Sequence, residues 1–214
     1  MPPIPSVDRP APPDPGRGTR PEVTERIERA LAMTGAVVAV VDEAAWSSPT
    51  PCAGWDARTT LNHLVGGMRI FAAELTGTDP GGAHHDDWLG TDPAGAYARA
   101  AEADRAAWRR AAGSEEALAS TTVRLGFGTV PGPLAALIHL TEVLVHGLDL
   151  AWAVGRTDRV DEELCEDLLS RARRTGMDPF RRPGMFGPER PAPADAPARV
   201  RLAAYLGRPV AAGG

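Results

Sequence analysis

Residues 134–154 constrain this chain more than any other stretch. Leu134, Ile138, Leu140, Leu144, Leu148 and Leu150 are only part of a run in which nearly every position is apolar. A helix that is apolar almost all round is buried, so this segment predicts the central helix of a bundle. Yet it carries His139, Glu142, His146 and Asp149. With Leu134 at zero, these fall at about 140°, 80°, 120° and 60° on a helical wheel. All four share one arc of about 80° with the small residues Ala135 and Ala153, while Thr141 lies on the opposite side. Buried ionisable groups are costly unless paired or bound to a metal. The pattern therefore predicts an internal polar site, with space left by the alanines.

Spacing sorts the candidates. Glu142 and His146 are one turn apart, so both can converge on one ion at roughly 2.0–2.2 Å. His139 and His146 are separated by about 10.5 Å of rise and do not suit a shared ion. His139 with Glu142 is allowed geometrically but leaves His146 unemployed. A third ligand must come from elsewhere, and His63 is the best donor. It lies mid-helix, off the main apolar stripe, with Gly67 and Ile70 at i+4 and i+7. Glycine there removes bulk where another helix or a ligand approaches. Taken alone, His63 reads as an ordinary core or surface histidine; it gains meaning from the other two. His139 and Asp149 are expected to orient ligands through hydrogen bonds or to line the pocket, the bland alternative being a buried polar pair.

The rest of the chain predicts helices at about 22–43, 56–75, 92–113, 131–155 and 161–175, and a short last one at 197–206. Asp56 and Asp92 read as N-caps, the latter followed by Pro93 at the first helical position. Residues 121–129 read as a short extended crossover. Residues 1–21 hold eight prolines and few apolar residues, and read as a disordered tail. Residues 22–208 would form one all-α helical bundle, with 177–208 packed on it as a C-terminal extension and 209–214 as a tail.

All 23 basic residues are arginine. Without lysine there is no Schiff base and no Walker A loop. A net charge of −5 argues against nucleic acid as the main partner. No unbroken apolar run reaches the roughly 18 residues of a membrane span, and the N-terminus lacks a signal-like apolar core. A cytoplasmic protein is expected. Cys52 and Cys165 lie too far apart for a CxxC pair, a zinc ribbon or a disulfide framework. There is no GxSxG, and Gly126-Phe127-Gly128 does not continue as GxGxxG.

Several residues are read conservatively. Cys52 precedes a helix start, where a thiol pKa can fall, but sits in a packing motif with Trp55. Cys165 reads as core or as a surface neighbour. His84-His85-Asp86-Asp87 reads as a solvated loop, because adjacent side chains diverge, with Trp88 packing it down. Arg171, Arg173, Arg174, Arg181 and Arg182 read as a solvated helix end, with a clamp for a substrate carboxylate as the sharper alternative. Trp108, Trp152 and Phe127 read as core or pocket wall.

Thr50-Pro51-Cys52-Ala53-Gly54-Trp55, followed by Leu61-Asn62-His63-Leu64-Val65-Gly66-Gly67, resembles the N-terminal signature of the DinB-like metal-binding superfamily. The run from His139 to Ala151 resembles its second signature. Met185-Phe186-Gly187-Pro188, Ala194-Asp195-Ala196-Pro197 and Leu206-Gly207-Arg208 resemble the tail of the actinobacterial branch related to mycothiol-dependent maleylpyruvate isomerases. The arginine-for-lysine, Ala-, Gly- and Pro-rich composition suits such a GC-rich source. The resemblance spans about residues 22–208. It implies an all-α, DinB-like four-helix bundle, often dimeric, with a divalent metal on His63, Glu142 and His146. Zinc suits such a site first, with nickel or iron as alternatives. The implied activity is that of a metal-dependent enzyme activating a low-molecular-weight, mycothiol-like thiol, as a transferase or isomerase on a small electrophile. The alternatives are a metal-dependent hydrolase of the same fold and a non-catalytic, metal-braced protein that binds a small ligand. The chain leaves little length for the additional C-terminal domain of the isomerases.

Overall fold

The computed structural model describes residues 21–176, 178–182 and 185–209. The Pro-rich segment 1–20 and residues 210–214 of the expected tail lie outside these. In chain order the described elements are α1 (Glu22–Val38), α2 (Ala57–Thr76), α3 (Pro93–Ala111), α4 (Glu115–Ser120), β1 (Thr122–Leu125), β2 (Gly128–Pro131), α5 (Gly132–Ala153), α6 (Glu162–Thr175) and α7 (Ala198–Tyr205). α1 packs on α5, α5 on α2, α2 on α3 and α3 back on α1, closing a four-helix bundle. α6 and α7 pair with each other beside it. The fold is all-α, as the sequence predicts.

Local chemistry explains the helix ends. Asp56, Asp92 and Asp161 cap α2, α3 and α6, accepting from the amides of Thr59 (2.7 Å), Gly95 (2.9 Å) and Leu164 (3.0 Å). α1 stops at Val38 rather than near residue 43. The β-branched Val37, Val38, Val40 and Val41 lose rotamer freedom in a helix, and the chain leaves it among them. α4 is an unforeseen short helix whose N-cap, Ser114, accepts from the Ala117 amide at 3.1 Å.

The expected extended crossover is instead a two-stranded antiparallel hairpin, with Val123 opposite Val130 and Leu125 opposite Gly128. Residues 126 and 127 make the turn, which lets the β-leaning residues on both sides pair. Val123 and Val130 are both buried.

α5 forms the centre of the core. Leu140, Leu144, Leu148 and Leu150 are buried against a core that includes Ile27 and Leu31 of α1, Leu61 and Met68 of α2, and Trp108 of α3. By length and composition α5 could cross a membrane, despite the interrupting polar residues, but most of its apolar surface is buried inside this bundle. Tyr97 of α3 donates to the Leu31 carbonyl of α1 at 2.7 Å, satisfying a hydroxyl inside the core.

The C-terminal extension folds back onto the bundle. The Tyr205 hydroxyl donates to the Ala172 carbonyl at 3.1 Å. Arg181 donates to the carbonyls of Gly187 (2.6 Å) and Tyr205 (3.0 Å). Gly207, at φ +80°, takes a left-handed turn against Gly187, so close that a Cβ would lie 2.6 Å from the Gly187 Cα. This turn brings Arg208 against α5.

α1 and α5 meet at a glycine. A Cβ on Gly147 would lie 2.1 Å from Thr34 Oγ1 and 2.9 Å from the Met33 methyl. Gly147→Ala should therefore destabilise the fold by about 1–3 kcal/mol through overpacking. A urea melt checks this: a lowered midpoint at constant slope is expected, and an unchanged midpoint would show that the two helices can part without cost.

Candidate metal centre

The site is built from three parts of the chain. Residues 48–56 form a tight loop before α2, closed by hydrogen bonds from the Thr50 amide to the Trp55 carbonyl and from the Ala57 amide to the Ser48 carbonyl, both 2.9 Å. Gly54 turns this loop at φ +82°. The loop sets the Trp55 ring 4.8 Å from that of His63 and 5.5 Å from that of His146. α2 supplies His63 and α5 supplies Glu142 and His146.

These three side chains converge. Glu142 Oε2 lies 3.1 Å from His63 Nε2 and 3.5 Å from His146 Nε2. The ligand atoms of the set all fall within 4.8 Å of one another. A tetrahedral ion with bonds of roughly 2.0–2.1 Å has ligand–ligand edges of about 3.3 Å. The two carboxylate–imidazole distances bracket that edge, so the donor set fits a zinc-like ion. Burial alone would raise the Glu142 carboxyl and depress the His146 imidazole. The hydrogen bonds from His146 and His63 outweigh it at Glu142, holding this carboxyl well below the usual carboxylate range. At His146 the bonds to Asp149 and Glu142 outweigh burial and raise the imidazole to about 9. Ligand binding by a metal displaces such a proton.

Asp149 stands behind His146. Its Oδ2 is 3.1 Å from His146 Nδ1, so a proton on Nδ1 leaves the Nε2 lone pair facing Glu142. Arg208 completes the line, donating through Nε to Asp149 Oδ1 (3.1 Å) and through Nη2 to Oδ2 (3.0 Å). Asp149 is 1% exposed and Arg208 7%, so this is a bidentate, buried ion pair. His63 has no such support: its Nδ1 is buried without a hydrogen-bond partner among the described residues.

His139 does not orient any of the three. Its Nε2 is 2.8 Å from Asp104 Oδ2 on α3, and both residues are buried. Its ring packs against those of Phe71 (4.4 Å) and Trp108 (5.7 Å). The hydrogen-bonding role expected for it is corrected to a buried polar pair, although the residue does line a pocket beside the site. Its wheel position points it toward α3, not toward His146.

The loop 77–92, read from sequence as solvated, is partly folded onto the site. Asn62 clamps it, donating to the Asp86 carbonyl and accepting from the Trp88 amide, both at 2.9 Å. Trp88 packs the loop down, with Arg69 4.4 Å above its ring. The His84 ring lies 4.4 Å from His63, and its Nε2 donates to the His63 carbonyl at 3.2 Å. Desolvation, with the His63 charge, depresses the His84 imidazole. Gly66 makes room for this loop: a Cβ there would lie 2.4 Å from the His84 carbonyl oxygen. The loop fills the space beside Gly66, whereas Gly67 and Ile70 line an open cavity beside the site, where the sequence suggested an approach.

Two other groups place donors within 4.8 Å of each other: Cys52 with His146 and Asp149, and His63 with His84 and His85. The first uses an Asp149 whose two oxygens already serve Arg208 and His146. The second spends His84 Nε2 on a carbonyl and lacks a carboxylate to offset the ion's charge. His63, Glu142 and His146 are the set with free donors and suitable charge. Burial raises the Cys52 thiol, which does not favour a reactive thiolate there. Cys165 is buried and its thiol is raised to a greater degree, as expected of a core residue.

Two cavities open on the set. The larger, about 730 Å³, runs between the Cys52–Trp55 loop and the C-terminal extension, and includes Arg181, Arg182, Arg190 and Arg208 in its wall. Arg171, Arg173 and Arg174 do not line it. The smaller, about 380 Å³, lies between α2, α5 and the hairpin turn. His63 and Glu142 line both. Arg208 lacks a role in the sequence reading, and only its place beside the last glycine turn marks it.

Comparison with known proteins agrees with this architecture. Two relatives from Mycobacterium tuberculosis, Uncharacterized protein MT0763 (strain CDC 1551 / Oshkosh) and Uncharacterized protein Rv0738 (strain ATCC 25618 / H37Rv), are each 32% identical over 184 residues, covering 86% of this chain and 96% of the relative. A crystal structure of the mycothiol-dependent maleylpyruvate isomerase shares the fold, with a TM-score of 0.51 and 16% identity over 70% of this chain and 67% of that one. Residues 10–151, which contain His63, Glu142 and His146, match the family described as the mycothiol maleylpyruvate isomerase N-terminal domain. The chain belongs to this family.

Proposed function

We propose that the protein is a divalent-metal-dependent enzyme that activates a low-molecular-weight thiol, of the mycothiol kind named for its family, toward a small electrophile. The observation that carries this reading is the spacing of His63, Glu142 and His146 as edges of one coordination polyhedron. The group that contains Glu142 has three donors among the described residues, whereas structural zinc sites usually close with four. The flanking cavities leave an approach to the remaining position. Two neutral imidazoles and one carboxylate favour zinc, with nickel or iron as alternatives.

A divalent ion bound there would supply Lewis acidity that keeps a thiol sulfur deprotonated near neutral pH. The chain's own residues do the rest. Asp149 holds the His146 ring in place, and Arg208 in turn holds Asp149 through two hydrogen bonds. Trp55 covers both imidazoles and excludes water from that side. Arg182 stands on the wall of the larger cavity, where a polar or anionic part of the thiol can be held. Attack of the sulfur on carbon with loss of a leaving group gives thiol transfer. Addition to a conjugated double bond, rotation and elimination give isomerisation.

Two outcomes are expected. Protein purified without a histidine tag should carry one divalent metal per chain by elemental analysis, and His146→Ala should lose it. Equal trace metal in both removes the premise. With metal present, turnover of an electrophile should require added thiol; turnover without thiol would favour a hydrolase.

Asp149→Asn should lower metal affinity by about 10–100-fold in a chelator competition. Circular dichroism and a thermal melt separate this from loss of fold, since the variant also strands the Arg208 charge. A folded variant with unchanged affinity would show that His146 does not need its partner.

A further inference from the structure

We propose that the electrophile carries an apolar group, aromatic or branched aliphatic, and that this group binds in the cavity on the hairpin side. The inference rests on the thiol-activating reading above and adds a substrate class to it. The two cavities that meet at His63 and Glu142 differ in chemistry. The one beside the C-terminal extension has four arginines in its wall. The one beside the hairpin has none. Met68, Ile70, Phe71, Leu125, Phe127 and Ile138 dominate its lining. Its polar groups are largely committed: His139 Nε2 to Asp104, and His84 Nε2 to the His63 carbonyl. Glu142 and His63 remain, and they meet at the ion site, with Oε2 and Nε2 3.1 Å apart. A dianionic acid would lose its hydration in this cavity without a cationic partner. An apolar group would not, and about 380 Å³ is in the range of a small-molecule site.

Phe127 supports the assignment. It is 64% exposed, the more exposed of two large hydrophobic side chains at the surface among the described residues. It stands on the turn of the hairpin at the edge of this cavity. An apolar ligand seated below would cover it. Because the cavity ends on His63 and Glu142, a reactive carbon attached to such a group lies next to the ion site, while the thiol enters from the arginine side. The two reactants then arrive through separate cavities that share His63 and Glu142, and do not compete for one space.

Methionine methyls report the two cavities separately, Met68 on the hairpin side and Met185 on the arginine side. The test uses the full chain with 13C-labelled methionine and isoleucine methyls, titrated with the neutral aromatic probe N-phenyl-1-naphthylamine and, separately, with maleate. The neutral probe should shift Met68, Ile70 and Ile138 and leave Met185 still. Phe127→Ala, exposed and so expected to fold normally, should weaken probe binding about tenfold. Maleate should leave Met68 unmoved. Probe shifts confined to Met185, no binding at all, or maleate shifts at Met68 would overturn the proposal. The experiment needs neither metal nor thiol. Probe binding at Met68 with no metal in the wild type would sink the functional reading alone; a metal-loaded protein whose Met68 ignores the probe would sink only this one.

Discussion

Two carboxylates on the most apolar helix of the bundle govern how the remainder must be arranged. Glu142 and Asp149 lie two turns apart on α5, amid leucines and valines that are buried. An isolated charge in such surroundings is costly, so each needs a partner brought by another element. Asp149 receives Arg208 from the end of the chain and His146 from its own helix. Glu142 receives His63 from α2 and His146 from one turn on. His146 belongs to both groups. The result is one connected polar line through the bundle, from Arg208 to His63, and its two ends differ. At the Arg208 end every acceptor is used. At the His63 end the nitrogens and the carboxylate are close together and open to two cavities.

That asymmetry explains the shape of the C-terminal extension. Arg208 must reach the interior, and the last turn before it is too tight for a side chain at Gly207, which lies against Gly187. Arg181 then spends its donors on the carbonyls of Gly187 and Tyr205, which fixes the same turn from outside. Stabilising the buried Asp149 and walling the larger cavity are therefore done by one segment.

The parts of this arrangement that were legible in the sequence are those whose causes lie within a few residues. The apolar run of α5, the caps Asp56 and Asp92, and the one-turn spacing of Glu142 and His146 are local features. His63 could be proposed because the other two ligands demanded a third. What could not be read depends on distant pairing. Arg208 meets Asp149 across 59 positions, and His139 meets Asp104 across 35. Without the second contact in view, His139 shares the arc of the site and looks like part of it. The histidines of the 77–92 loop were discounted because adjacent side chains diverge. They reach His63 through Asn62, whose amide fixes the loop on α2, and through the absence of a side chain at Gly66. The hairpin was missed because its strands have only four residues each, too short for a periodic pattern.

The match to the family ends at residue 151, and this boundary divides the site in a physically meaningful way. Inside it lie the three donors, Asp149, Trp55, the 77–92 loop and the hairpin. Outside it lie Arg181, Arg182, Arg190 and Arg208, the arginines of the larger cavity. The centre that would hold an ion and the apolar cavity thus come from the shared region, while the cationic wall comes from the following segment. The division is not complete, because Asp149 is inside and its charge partner is outside. A family member that changed its C-terminal segment would have to replace Arg208 with another cation, or give up the carboxylate behind His146. The buried ion pair therefore ties the cationic wall to the ligand set. Any change in what the larger cavity accepts has to be made around an arginine that the helix beneath it requires.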